Sequence, residues 1–153
     1  MKNPFLKTVI LGLSAGMRSM APLSLITTKF NKNKQLGLQN SKLNFMQSGI
    51  TSNLLDIAAL GELAGDKDPN ASNRTETLSV LGRCASGALV GATVYKAAFK
   101  NPLHGAMLGA TAALASTFIF FHLRKKITRK TGKNNLVAMT EDVLAFSAAS
   151  VVK

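Results

Sequence analysis

The sequence predicts an all-α fold, a polytopic transmembrane bundle of four to five glycine-rich, closely packed helices that forms one integral membrane domain over residues 1–153. Residues 101–123 contain no Lys, Arg, Asp or Glu, and 23 residues of helix are enough to cross a hydrocarbon core of about 30 Å. Three further apolar stretches carry only one or two charges each. Together, these stretches predict several membrane-crossing helices.

Glycine spacing is the second observation that predicts this fold. Gly-x-x-x-Gly pairs let helix backbones approach closely in a bilayer, whereas a glycine costs roughly 1 kcal/mol in a water-exposed helix. Four such pairs occur among only 12 glycines, more than chance placement explains. The predicted packing residues are Gly12 and Gly16, Gly61 and Gly65, Gly87 and Gly91, and Gly105 and Gly109.

The first predicted helix covers residues 5–28, with Arg18 as the only charge between Thr8 and Thr27. The N-terminus resembles a signal peptide, but Arg18 and Pro22 flank the only small-residue cleavage site, so a retained helix is favoured. Pro22 removes the backbone hydrogen bond to the Arg18 carbonyl, which predicts a kink inside this helix and leaves that carbonyl as a candidate ligand. The polar residues from Phe30 to Ser41 then predict a solvated loop.

Four more helices follow. Residues 46–65 are the most polar segment, so the sequence leaves open whether this helix fully crosses the membrane. Helices are predicted over residues 77–99 and 103–127, and Asn101-Pro102 between them predicts a tight turn and an antiparallel hairpin. Residues 136–152 form the fifth predicted helix.

The net charge of +12 comes from 19 basic and 7 acidic residues. The basic residues form short blocks between the apolar segments, as in loops that contact anionic lipid headgroups. A soluble nucleic-acid binder is the weaker alternative, because the blocks contain almost no aromatic residues for base stacking. The expected partner is therefore the lipid bilayer and not nucleic acid, and a homo-oligomer in the inner membrane is expected.

Orientation follows from the distribution of basic residues. With five crossings, the side that carries the N-terminus and the block from Arg124 to Lys133 has 10 basic residues against 7, which favours an internal N-terminus. With four crossings, the two sides carry 12 and 5 basic residues, and both termini lie outside. The narrow difference also permits insertion both ways up, as antiparallel pairs.

Several charged residues occur within or at the ends of apolar segments, where a charge is expensive and is expected to face the bundle interior. Glu62 and Asp66 lie four residues apart on one helix face, and Arg18 is their natural counter-charge. Glu141 lies on the small-residue face of the last helix. Asp56 is also intramembrane, but the predicted charge cluster consists of Arg18, Glu62, Asp66, Arg74, Arg83, Glu141 and Asp142.

Three functions fit these residues. The first is permeation of a small ion or solute, with Glu62 and Glu141 as ligands or proton carriers. The second is a structural or accessory membrane protein in which the same charges clamp helices together. The third is a metal-dependent enzyme acting on lipid, with Glu62 and Asp66 holding a divalent cation. No cofactor, resident metal or catalytic residue is predicted, because no hydrolase, kinase or metal-ligand motif occurs.

Two motifs resemble those of a known family. They are Gly12-Leu-Ser-Ala-Gly-Met-Arg-Ser-Met-Ala-Pro-Leu23, and Gly61-Glu-Leu-Ala-Gly-Asp-Lys-Asp-Pro69 with Arg74-Thr75. With Arg83, His122-Leu-Arg124 and Glu141-Asp142, the sequence is similar to the domain of unknown function family DUF4126, small bacterial multi-pass membrane proteins. The resemblance implies an integral membrane protein with a Glu/Asp/Arg cluster, and it implies no particular activity.

Overall fold

A computed structural model describes residues 3–65 and 77–131, together with Val143 and Ser147. Every regular element in these residues is helical, in agreement with the predicted all-α class. The α-helices are α1 (Pro4–Met17), α2 (Met20–Lys32), α3 (Leu36–Gln39), α4 (Gly49–Gly65), α5 (Thr77–Ala97) and α6 (Pro102–Thr131), and a 3-10 helix spans Lys42–Gln47.

The helices predicted over residues 77–99 and 103–127 correspond to α5 and α6. The turn between them lies at the predicted position: Asn101 Oδ1 accepts a hydrogen bond from the Leu103 backbone N–H at 2.9 Å and so caps α6. The helix predicted over residues 46–65 starts later, at Gly49. The fifth predicted helix falls outside the described residues except for Val143 and Ser147, which are both helical and exposed.

The prediction of one continuous first helix over residues 5–28 is wrong. Residues 4–32 form two helices separated at Arg18, whose backbone is extended (φ −141°, ψ 121°). The prediction of a kink at Pro22 is also wrong, because Pro22 is the third residue of α2. The first-turn N–H groups of any helix lack intrahelical partners, so a proline there removes no helical hydrogen bond.

The chain reverses direction at this interruption, which we call the break (Arg18–Ser19). Thr8 lies beside Gly91 while the Gly16 carbonyl contacts Arg83, so α1 runs antiparallel to α5. The Ser19 carbonyl contacts Ser86, and Gly37, just after α2, lies against Ala97. Helix α2 therefore runs parallel to α5, and α1 and α2 form a hairpin whose tip is the break.

The hairpin of α5 and α6 makes the most extensive helix contact, and α1 packs against both of its helices. A Cβ added at Gly87 would lie 2.5 Å from the Gly109 carbonyl oxygen, and one added at Gly91 would lie 2.8 Å from the Gly105 carbonyl carbon. One added at Gly12 would lie 2.8 Å from the same Gly109 oxygen. Only hydrogen fits at these positions, because backbone lies directly opposite.

The prediction of a solvated loop from Phe30 to Ser41 is wrong. Helix α2 continues to Lys32, and the short α3 folds back so that Leu38 is fully buried. Phe30, Leu38 and Met46 join Val90, Val94 and Ala97 in the apolar core at this end of the bundle. Isolated apolar residues in a polar stretch were enough to fold it onto the core, because burying each leucine-sized side chain contributes about 2 kcal/mol.

Two helices, Thr77–Ala97 and Pro102–Ile127, are long and apolar enough to span a membrane, a test that the core helix of a soluble protein can also pass. The shorter apolar helix Pro4–Met17 is not, since 14 residues extend only about 21 Å. The starts of α1, α4 and α6 and the ends of α2 and α5 lie together at what we call the turn end. The five-crossing prediction that the N-terminus and the Arg124–Lys133 block share one side is wrong for the described part of that block, because Arg124–Lys130 lie at the opposite end of α6.

Candidate functional site at the break

The Glu62 side chain of α4 binds the first turn of α2. Its Oε1 accepts hydrogen bonds from the backbone N–H and from the hydroxyl of Ser19, both at 2.9 Å. Its Oε2 accepts from the backbone N–H of Met20 at 2.9 Å. Since these N–H groups have no partner within α2, Glu62 serves as the N-cap from a helix 43 residues further along the chain. A carboxylate also complements the positive end of the helix dipole.

Backbone carbonyls on the other side of the break are bound by α5 and α6. The Gly16 carbonyl accepts from Arg83 Nη1 and from Thr117 Oγ1, each at 3.2 Å. The Leu13 carbonyl accepts from Ser116 Oγ at 2.7 Å, and the Ser19 carbonyl accepts from Ser86 Oγ. Gly16 is among the last four residues of α1, whose carbonyls lack intrahelical partners, so Arg83 and Thr117 replace a hydrogen bond that a continuous helix would have made.

Two arginines lie inside the bundle at the break. Arg18 is 4% exposed and Arg83 is 7% exposed. Arg83 is the seventh residue of α5, about 9 Å from the start of that 21-residue helix and about 21 Å from its end. If α5 spans a bilayer, both guanidinium groups and the Glu62 carboxylate lie within the hydrocarbon region, where charges persist only with partners.

A row of polar side chains, which we call the polar seam, continues from the break between α2 and α4. It consists of Ser24 and Thr28 on α2, and Ser52 and Asp56 on α4. The Ser24 hydroxyl donates to Asp56 Oδ1, and the Thr28 hydroxyl lies 3.3 Å from the same oxygen. The Thr28 and Ser52 hydroxyl oxygens are 2.9 Å apart. The two helices are thus joined by side-chain hydrogen bonds over about one turn of each helix.

The structure brings together three members of the predicted charge cluster: Arg18, Glu62 and Arg83. The Glu62 carboxylate contacts the backbone directly after Arg18, and Arg83 contacts the backbone two residues before it. The other predicted members, Asp66, Arg74, Glu141 and Asp142, lie outside the described residues. The described cluster is therefore organised around backbone groups of the break.

Gly61 departs from its predicted role. The sequence placed Gly61 and Gly65 where a neighbouring helix approaches most closely, but a Cβ at Gly61 would meet nothing within 4 Å. Gly61 lies on the outer face of α4, together with the exposed side chains of Ile50, Leu54 and Ile57. Within the described part of this chain, α4 contacts α2 through its polar face and no helix packs against Gly61; packing of a second copy there stays a prediction. The environment of Gly65 lies outside the described residues.

Sequence reasoning missed most of the hydroxyl groups and gave Asp56 no place in the site. Ser86, Ser116 and Thr117 are ordinary residues in apolar helices, and nothing in their local pattern distinguishes them. A usable signal did exist in the second segment: Ser52, Asp56 and Ala59 recur at helical spacing opposite Ile50, Leu54 and Ile57. That periodicity predicts a helix with one polar and one apolar face.

Among the described residues, no three His, Cys, Asp or Glu side chains come close enough to hold a metal ion. The chemistry that the site supports there is hydrogen bonding and charge neutralisation.

The sequence model of the domain of unknown function family DUF4126 matches residues 6–152, nearly the whole chain. This chain is a member of the DUF4126 family. No curated protein and no solved structure matches it. The family match covers the motifs that form the break, Gly12–Leu23 and Gly61–Glu62, so the DUF4126 region includes both sides of the Glu62 cap.

Proposed function

We propose that this DUF4126 protein is a multi-pass protein of the bacterial inner membrane with a structural or accessory role, in which buried polar residues clamp a re-entrant hairpin. The observation that carries the proposal is the Glu62 cap. Both carboxylate oxygens bind donors at the tip of the α1–α2 hairpin, at 2.9 Å each. Two 13- to 14-residue helices that reverse inside a bundle match the length of re-entrant segments.

The distribution of polarity supports a lipid environment. Many side chains that point outward are large and apolar, such as Ile50 at 82%, Leu78 at 83% and Met107 at 62% exposed. Side chains that point inward include hydroxyl groups and arginines: Thr8, Ser14, Thr27, Arg83, Ser86, Thr93, Ser116 and Thr117 are buried. Water-soluble domains show the opposite arrangement, and they rarely expose large contiguous apolar surfaces.

The clamp accounts for the balance of donors and acceptors around the break. Non-helical backbone at membrane depth is tolerated only where protein groups satisfy its N–H and C=O groups. Here α4 supplies the acceptor for the N–H side, while α5 and α6 supply the donors for the carbonyl side. One polar residue on each of three helices therefore fixes the position of the hairpin tip.

Permeation of a small ion, with a proton as the simplest case, is the second candidate. The observation that favours it is the interrupted helix itself, because secondary transporters form ion sites where half-helix ends meet an acidic residue. Glu62 is only partly buried and reaches the N-terminus of α2. In this proposal Glu62 exchanges a proton, and Arg18 and Arg83 offset its charge. The outer face of α4, which includes Gly61, is where we place lipid or the second copy of a homo-oligomer.

Purified protein in liposomes separates the two candidates. Glu62→Gln is compared with the wild type and with Gly61→Ala, its sequence neighbour, whose new methyl group meets nothing. The clamp proposal expects no ion flux from any of the three proteins, and lower resistance to unfolding in SDS for Glu62→Gln alone. Proton or cation flux by the wild type and Gly61→Ala, absent from a folded Glu62→Gln protein, would establish permeation and overturn the purely structural role.

A further inference from the structure

A cavity of about 510 Å³ opens at the turn end, where the chain enters α4. It lies between the connection that follows α2, the end of the 3-10 helix and the first turn of α4. Its polar lining includes Lys34, Asn44, Ser48 and Thr51. None of these residues belongs to the break or to the polar seam, so the helix clamp does not account for them.

The Lys34 ammonium group supplies the charge of the cavity. Its Nζ donates a hydrogen bond to the Gln47 backbone carbonyl, which holds the amine beside the start of α4. An ammonium group has three N–H donors, so two remain for another acceptor. No carboxylate lines the cavity, and the first acidic residue of the sequence, Asp56, lies about 10 Å further along α4 than Gly49. The charge of the described lining therefore favours an anion.

A chain of amide contacts fixes which atoms of Asn44 remain available. The Gln47 Oε1 atom accepts a hydrogen bond from the Gln35 backbone N–H at 2.9 Å. The other end of this buried amide, Nε2, then donates to Asn44 Oδ1 at 2.7 Å. Because the oxygen of Asn44 is the atom that faces Gln47, its Nδ2 group keeps two N–H donors for a ligand.

The first turn of α4 adds backbone donors to those of Lys34 and Asn44. The Ser52 N–H donates to the Ser48 carbonyl at 3.0 Å, so the ladder of α4 begins there. The N–H groups of Gly49, Ile50 and Thr51 precede this bond and have no partner within α4. Ammonium, amide and backbone N–H groups together are the donors that bind phosphate oxygens.

The cavity is also continuous with apolar surface. Ile50 lines it at 82% exposed and begins the outer face of α4, which continues through Leu54 and Ile57. The exposed ring of Phe45 lies at the same opening. A free phosphate ion gains nothing from such a surface, whereas a phospholipid carries its phosphate on acyl chains that would cover it.

We propose that this cavity binds the phosphate headgroup of an anionic phospholipid, with an acyl chain along the outer face of α4. This inference rests on the proposed membrane location. Lys32, Lys42 and Lys100 are also exposed at the turn end, and their charge favours a lipid of net negative charge over a zwitterionic one. Basic pockets between membrane helices bind anionic headgroups in the same way.

Lipid titration of the purified, delipidated full-length protein in detergent tests the proposal. Short-chain phosphatidylglycerol, short-chain phosphatidylcholine and inorganic phosphate are added separately, and native mass spectrometry measures the bound fraction of each lipid. We expect phosphatidylglycerol to bind about tenfold more tightly than phosphatidylcholine, because several lysines each contribute to attraction of an anionic headgroup. Inorganic phosphate at the same concentration should not displace phosphatidylglycerol.

Two variants with matched controls locate the site. Lys34→Gln is expected to weaken phosphatidylglycerol binding about tenfold, the effect of losing one charge-assisted hydrogen bond. Its control, Lys42→Gln, removes an exposed lysine of the same end outside the cavity and should stay within about twofold of the wild type.

Asn44→Asp keeps the oxygen that accepts from Gln47 and replaces the two N–H donors by negative charge, so we expect phosphatidylglycerol binding to be lost. Asn40→Asp is its control, because Asn40 is exposed and does not line the cavity. Circular dichroism equal to that of the wild type shows that each variant is folded.

Equal weakening by Lys34→Gln and Lys42→Gln would reduce the binding to general attraction and overturn the proposal. Equal affinity for the two lipids would overturn it as well, and displacement by inorganic phosphate would assign the cavity to a soluble anion instead. Release of the protein from cell membranes by alkaline carbonate would overturn the membrane location. A protein that stays in the membrane but shows no lipid preference would refute this site alone, so the two failures are distinguishable.

Discussion

The α5–α6 contact and the α2–α4 contact hold neighbouring helices together by different means. Between α5 and α6, glycines bring the two backbones into contact, with Gly87 opposite Gly109 and Gly91 opposite Gly105. Between α2 and α4, the contact is made by carboxylates and hydroxyls, from Glu62 at one end to Ser52 at the other. Close backbone packing and interhelical hydrogen bonds are both means by which helices associate in lipid.

The difference determines which substitutions each helix contact can tolerate. The α5–α6 contact requires the absence of side chains and is sensitive to any added atom. The α2–α4 contact requires particular polar groups and is sensitive to their removal. The two contacts are therefore expected to respond oppositely to substitution, and the following variants test that comparison in order of decreasing effect.

Glu62→Ala is expected to have the largest effect. It leaves the backbone N–H groups of Ser19 and Met20 without their acceptors, at a cost of about 3 kcal/mol in the free energy of unfolding. Unfolding in mixed micelles with increasing SDS measures it. Glu62→Gln retains one acceptor oxygen and should lose less than half as much. Equal stability of Glu62→Ala and the wild type would show that the cap does not hold the hairpin.

Gly91→Ala is expected to cost about 2 kcal/mol, because its methyl group overlaps the Gly105 backbone and forces α5 and α6 apart. The matched control is Gly82→Ala in the same helix, where a Cβ meets nothing within 4 Å. The same SDS titration measures both. If the two variants unfold alike, then close backbone contact contributes little to the α5–α6 hairpin.

Gly61→Ala is expected to raise the stability by up to about 1 kcal/mol, since alanine is the better helix former and the added methyl group has room. The gain should appear in monomeric protein at low concentration in detergent. A loss of stability that grows with protein concentration would instead show that a second copy packs against this face of α4.

Thr28→Val removes one hydroxyl from the polar seam and keeps the side-chain shape. We expect a loss of about 0.6 kcal/mol, the average for interhelical hydrogen bonds in membranes. Thr111→Val in α6 is the control, because the Thr111 hydroxyl bonds only to carbonyls of its own helix, at 2.9 and 3.0 Å. A loss for Thr111→Val as large as that for Thr28→Val would assign the effect to helix propensity.

Much of the fold could be predicted, because it depends on local pattern. The apolar lengths of α5 and α6 and the turn at Asn101-Pro102 are visible in the sequence. The position of the break could not be predicted. Pro22 predicted a kink, whereas the helix is interrupted at Arg18. A break is stabilised by groups distant in the chain, such as Ser116, 103 residues from its acceptor at Leu13. Local propensity carries no information about such partners.

The candidate site likewise has features that could be predicted from the local sequence and features that could not. A charge in an apolar segment is conspicuous, so Arg18, Glu62 and Arg83 could be predicted as residues that face inward. Their partners could not, because backbone N–H and C=O groups occur at every position and become available only where a helix ends. The sequence therefore predicted charge paired with charge, whereas the described contacts pair Glu62 and Arg83 with backbone.

The partners of the hairpin tip also determine how much of the chain must be synthesised before the tip can form all of its described hydrogen bonds. The tip is made first, and Thr117, its last partner among the described residues, is added 98 residues after Ser19, about 5 to 20 s later at about 5 to 20 residues per second. Until Glu62 and Arg83 have been added, the Ser19 amide and the Gly16 carbonyl lack the partners that they have in the folded chain. A chain truncated before α6 lacks Ser116 and Thr117, so the Leu13 and Gly16 carbonyls lose these two donors.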